Sequence, residues 1–492
     1  MSYVMKKLVL VFLVFLMSAA SIIPVLADTP YQSYNFNHWG FMVPAPAAYV
    51  PQRSFTLRDI DPELGHMNGP TALHVDHEEN IYIVDSGNDR IIVIDAELNL
   101  NRVIDGFYIG RTRETFYRPS GVFVTESGEL FIADTRNHRV VVLDMTQNDS
   151  FIREITNPAI DGMDAGVPFL PTNIVVGYGG RTFVIAQHVF EGIMTFNAEG
   201  NFIGYFGTID VIFSPIELFW RFFMTQEQRS RQLLFIPTEF QSMDIDEYGF
   251  IFTTNIVRTL DDDQVMRLNP RGRNVINNFN EDVGIDGDQW FRMMGDLSGP
   301  SQFIDIAVMS HGMFVALDTT RGRIYTYDSE GNLLHVAGGT GSMQGMTRRP
   351  VSIAILGDDY LVLDAHGDGR IVQFTPTEYG ALINAAIRAR YDGYESDSVV
   401  AWRRLTEIDE NFHLAWAGIG RYMLAYGDNV RALYYLRRGM DLRHYSVAFR
   451  RNRLDNMQYA FSNVMTGAMI FVGVYIAVKI TLKFRRKGAA AT

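Results

Sequence analysis

The chain has no cysteine among its 492 residues. Disulfides, thiolate nucleophiles and cysteine-bound metals are therefore excluded, and stability must come from buried apolar surface. No Gly-x-Ser-x-Gly turn, phosphate-binding glycine loop or His-Glu-x-x-His motif occurs, so the common hydrolase and nucleotide signatures are missing. A basic excess is missing too: net charge is −13, and most of the acid lies before residue 379. Such a surface argues against nucleic acid, and against docking of that portion on anionic lipid.

What is present is a repeated phrase. An apolar run from Ile81 ends in Asp85, a polar turn follows, and Arg90 opens a second apolar run. The phrase returns with Asp134 and Arg139, with Asp318 and Arg323, and with Asp364 and Arg370. Prolines 70, 119, 171, 237, 300 and 350 mark repeat starts, and a period of roughly fifty residues signals a propeller or solenoid. Each unit reads as four short strands with period-two patterning, separated by Gly, Asn and Asp turns. Six such units predict a mainly β chain with a six-bladed β-propeller over 61–376. The last unit lacks an outer strand, and segment 28–60, through Tyr49 to Arg58, is expected to supply it and close the ring.

The pattern resembles the NHL-repeat family, whose signature is an Asp-x-x-Asn-x-Arg-Val/Ile turn. It is clean at Asp85, Asn88 and Arg90 and again at Asp134, Asn137 and Arg139. It is weaker at Asp318/Arg323 and Asp364/Arg370, and lost around His188 and Asn255. These Asp–Arg pairs read as blade fasteners, each Asp taking backbone N–H bonds in its turn and pairing with the Arg of the next strand. The resemblance implies a fold more than a function. Related propellers include zinc-dependent lyases, which makes His188, His311 and His366 candidate metal ligands, and calcium-dependent lactonases. Calcium is a possible cofactor at Asp282, Asp286 and Asp288, although the run lacks the EF-hand pattern.

Three further segments bear on function. Insertion 212–235 is helical and aromatic; Phe219, Trp220, Phe222 and Phe223 are candidate partner contacts. From 379 to 445 the spacing turns helical and follows two tetratricopeptide-like repeats, with Trp416 and Leu436 in the core and Trp402, Tyr422 and Tyr426 as candidate partner contacts. A linker, 446–458, leads to an uncharged apolar run, 459–478, long enough to cross a bilayer, and a basic tail, 479–492. Residues 1–27 have a basic start, an apolar stretch and a small-residue cleavage site, as in a signal peptide.

Together these predict a single-pass membrane protein of bacterial type, with its bulk outside and its tail in the cytoplasm. The expected role is a protein-interaction or ligand-binding scaffold, as part of an envelope or transport complex. The alternative is a metal-dependent lactonase- or lyase-like enzyme with its site at the propeller axis.

Overall fold

The structure, a computed structural model, describes residues 29–147, 149–157, 168–207, 239–256, 264–276, 285, 287–288 and 299–488, with side chains to 482. Six antiparallel sheets form a six-bladed propeller. Blade one comprises Ala72–Val75, Ile81–Asp85, Arg90–Ile94 and Leu100–Ile104. Blade two runs from Gly121 to Thr156, blade three from Pro171 to Phe206 and blade five from Phe303 to Gly338. Blade four shows three strands, Phe240 to Leu268, among the described residues. Blade six takes three strands from Pro350–Pro376, and Tyr49–Phe55 pairs antiparallel with Arg370–Pro376 as its fourth.

Middle strands such as Arg90–Ile94 are apolar on both faces because each blade is covered by a neighbour on either side. Ile81, Ile83, Ile92 and Ile94 of blade one pack with Leu361, Leu363 and Ile371 of blade six. Val84, Ile91 and Val93 pack on the other side with Val122, Leu130 and Ile132 of blade two. Each such side chain contributes about 1.5–3 kcal/mol when fully buried. Similar apolar layers lie between all successive blades, so the ring is held by face-to-face burial.

Antiparallel order gives the propeller two distinct ends. Turns between second and third strands share one end with the links between blades, here called the connection face. Turns between first and second and between third and fourth strands lie at the other, the helix face. Five helices follow blade six: α1 (Glu378–Tyr391), α2 (Glu395–Ile408), α3 (His413–Ala425), α4 (Asn429–Arg438) and α5 (Leu442–Gly488). Neighbours in sequence pack together, giving two helical hairpins followed by one long helix.

The helical layer is joined to the helix face of blades five and six. Thr377 caps α1 and also donates to Ala47 O at 2.7 Å. Gly380 lies where a Cβ would meet Ala48 O at 2.1 Å, so no larger residue fits there. Asn384 donates to the Tyr49 hydroxyl at 2.8 Å, Arg388 pairs with Asp358, and Arg390 and Arg421 pair with Glu330. One apolar core runs from Val315 and Val362 in the blades to Ile383, Trp402, Ile419 and Leu436 in the helices. From Phe449 to Leu482 the side chains of α5 are almost all exposed.

Candidate functional site

The repeated phrase acts at the connection face. In blade two, Asp134 accepts the Tyr117 N–H at 2.8 Å, Asn137 Nδ2 at 2.9 Å and Arg139 Nε at 2.9 Å. Asn137 and Arg139 each donate as well to Thr115 O, on the chain arriving from blade one. Blade one repeats the cluster: Asp85 takes Asn68 N, Asn88 and Arg90, while Asn88 reaches His66 O and Arg90 reaches Leu64 O. In blade six Asp364 takes Arg349 N and Arg370, and Arg370 donates to Met346 O. Asp, Asn and Arg thus fasten the turns of blades one and two to the links that precede them, and Asp and Arg alone do so in blade six. The position before the Arg is left-handed in every case, at Asp89 (φ 56), His138 (φ 58), Gly322 (φ 62) and Gly369 (φ 73).

Blade five departs from the expected pairing. Arg321 stands where Asn137 stands in blade two, and it approaches Asp318 at 3.6 Å. Arg323 instead pairs with Asp288 and donates to the Tyr34 hydroxyl at 2.8 Å. Tyr34 belongs to the hairpin Tyr34–Phe36/Met42–Pro44, and its hydroxyl donates to Asp288 at 2.7 Å. Asp288 is buried, with Arg321 also within 3.9 Å. Its carboxylate is therefore held by cationic and hydroxyl side chains of the protein. Asp282, Asp286 and the aromatic insertion with Phe219, Trp220, Phe222 and Phe223 lie outside the described residues.

The three candidate histidines do not converge. His188 and His366 lie in turns after second strands, on the connection face, where His366 Nε2 meets Arg348 at 3.0 Å. His311 lies in the turn between the first two strands of blade five, on the helix face, 3.4 Å from Asp392. Antiparallel strands place these turns at opposite ends, so one ion cannot bridge them. Among the described residues, no group of three or more His, Asp or Glu is arranged to hold a metal.

A cavity of about 620 Å³ lies on the propeller axis, lined by the first strands of all six blades. Two carboxylates that the sequence reading passed over sit beside it. Asp305 of blade five accepts hydrogen bonds from Ser242 of blade four and, at 2.7 and 2.8 Å, from Ser352 Oγ and Ile353 N of blade six. Asp244 of blade four accepts the Val308 N–H at 2.7 Å. Burial, with help from Asp305 and Asp246, pushes Asp244 up to about 6 against its backbone hydrogen bonds. Ser352 continues the belt by accepting Leu73 N at 3.0 Å, and His74 accepts Val124 N at 3.3 Å. Burial brings His74 down to about 4, which keeps it neutral as an acceptor. The available signal was a carboxylate inside an otherwise apolar strand, Phe303–Val308.

Among the helical candidates, Trp402 is buried at 2% exposure and is covered by Gly418, where a Cβ would meet its Nε1 at 2.5 Å. It is a core residue, and the expectation of a partner contact there is corrected. Trp416, expected in the core, lies at its edge, stacked on Tyr435 with Arg438 over its ring at 4.1 Å. Leu436 is buried, Tyr422 is half-buried, and Tyr426 is exposed and stacks on Tyr422 at 6.0 Å.

Fold and turn chemistry define a six-bladed β-propeller in which the blade-two turn carries an NHL repeat. The NHL repeat family model matches residues 116–143, which include Asp134, Asn137 and Arg139. No curated protein matches the sequence. Among solved structures, virginiamycin B lyase from Staphylococcus aureus is similar at 11% identity and a TM-score of 0.41, covering 67% of this chain and 100% of that one. A streptogramin B lyase structure is similar at 11% and 0.40, covering 67% of this chain and 98% of that one. Hydrazine synthase from Kuenenia stuttgartiensis is similar at 11% and 0.39, covering 63% and 96%.

Proposed function

We propose that the chain is a membrane-tethered propeller that works outside the cytoplasm as an interaction scaffold, binding a protein partner of an envelope or transport complex. The observation that carries this reading is α5. It is one uninterrupted helix of 47 residues that begins against the helical layer and continues into an exposed segment apolar enough to cross a membrane. The helical layer occupies the helix face of blades five and six, so the connection face is turned away from the tether. The two hairpins follow tetratricopeptide-like spacing and would act as a rigid seat between propeller and span.

The absence of cysteine makes the test direct. Single cysteines at Tyr108, on the hairpin linking blades one and two, and at Thr492 report the two sides of the membrane. A membrane-impermeant maleimide applied to intact cells is expected to label Y108C and spare T492C; the reverse pattern overturns the topology. Detergent extraction of the full chain from its own membranes is expected to bring a stoichiometric partner. A chain that elutes alone overturns the scaffold role.

A second reading is favoured by the axial cavity, where burial pushes Asp244 up to about 6, toward the range that suits a general acid or base. Among the described residues no group of three or more His, Asp or Glu is arranged to hold a metal, so this reading rests on the axial carboxylates. Its check is a substrate screen with D244N as control: turnover in the wild type that survives D244N excludes an acid–base role for Asp244.

A further inference from the structure

We propose that the tips of both helical hairpins rest in the headgroup layer of the bilayer that α5 crosses, holding the propeller at a set orientation to the membrane. The inference rests on reading α5 as a membrane span. Consecutive helices alternate in direction, so the α1–α2 turn, the α3–α4 turn and the outgoing part of α5 share one end of the layer. The level of that end relative to α5 is set by two contacts. Asn429, at the start of α4, donates to Asp455 at 2.7 Å, and Arg451 donates to Leu424 O at 3.3 Å. The uncharged run begins at Tyr459, one turn beyond Asp455, which is about 6 Å along a helix axis. The tip of the second hairpin therefore stands at the depth where a span meets its headgroups.

The side chains at that depth suit the place. Tyr394 is 62% exposed, Tyr426 81% and Val430 68%. Tyr248, in the helix-face turn of blade four, lies against Tyr391 beside the first tip. Tyrosine favours the membrane–water interface because its ring is apolar and its hydroxyl polar. Arg450 and Arg453 are exposed on the same stretch of α5, within reach of lipid phosphates. The acidic turns with Asp76, Glu78 and Glu126 belong to blades one and two, away from the seat on blades five and six. The propeller would lean with blades four and five nearest the lipid and blades one and two lifted from it.

Nitroxide labels on single cysteines of the full chain, in phosphatidylcholine nanodiscs, test this. Labels at Tyr394 and Tyr426 are expected to lose several-fold accessibility to an aqueous nickel chelate on transfer from detergent to nanodisc. A label at Tyr108 should not change. A label at Ile470 should be open to oxygen and closed to nickel. If 394 and 426 stay as open to nickel as 108 while 470 behaves as lipid-buried, the inference is overturned and the span stands. If 470 is open to nickel in the nanodisc, the span itself falls.

Discussion

In blade two, Asp134, Asn137 and Arg139 form one cluster that closes on the chain just ahead of it. In blade five the corresponding places hold Asp318, Arg321 and Arg323, and the cluster reaches back to Tyr34 in the N-terminal hairpin. Arg321 takes the place of the Asn beside the first carboxylate, and Arg323 swings to a second one, Asp288. A fastening motif has thereby become a docking site for a distant segment. The difference teaches that the same turn can serve a local or a long-range contact, here with a neutral amide at the middle position of blade two and a cation at that of blade five.

Removing the carboxylate of the local version should have the largest effect. Asp134→Ala strips a buried partner from Arg139 and the Tyr117 N–H, and is expected to cost about 3–5 kcal/mol in denaturant unfolding. The long-range version should lose less. Tyr34→Phe removes one hydroxyl shared by Asp288 and Arg323, an expected loss of about 1.5–3 kcal/mol. Limited proteolysis should then cut near residues 37–41 sooner than in the wild type. Unchanged cleavage would show that the hairpin is held by Asn35 and its apolar contacts instead.

Next is the joint between blades five and six. His335 is buried, neither ring nitrogen has a hydrogen-bond partner among the described residues, and it stacks on Tyr49 at 5.0 Å. Burial lowers it to about 3. The unfolded chain therefore takes up a proton first, and stability falls as pH drops from about 6.5 toward 3. His335→Phe should flatten that acid limb, with a relative gain of about 2 kcal/mol at pH 5. Asp244 acts in the opposite sense. Its folded form binds a proton below about 6, so stability contributed there rises as pH falls from 6 toward the ordinary carboxylate range. Melting curves of H335F and D244N across pH 4–7 separate the two. Arg321→Asn rebuilds the blade-two pattern in blade five but takes a buried cation from both Asp318 and Asp288, an expected loss of about 3–5 kcal/mol. It should also loosen the hairpin to protease; a tightened hairpin would contradict the division of labour between the two arginines.

The blades were legible because their signals are local: strand alternation, turn residues and the Asp–turn–Arg period all lie within one unit. The candidate site was less so. His188, His311 and His366 share a residue type but not an end of the propeller, and only the direction of each strand reveals that. Trp402 and Trp416 both fall on helical repeats, yet Gly418 on the next helix buries one, while the other is left stacked at the edge of the core. Asp244 and Asp305 were hidden because each is satisfied by groups from other blades.

The sequence by itself determined six blades, the turns that fasten them and a helix apolar enough to span a bilayer, since periodicity assigns each residue to a strand, a face or a turn. Tertiary structure alone decided the contacts that join one unit to another. Arg323 meets Asp288 and Tyr34, Asp305 meets Ser242 and Ser352, and Asn429 meets Asp455 just ahead of the apolar run. The reason is geometric: closing the ring and stacking the helices bring together groups from separate units, and no local pattern records those distances.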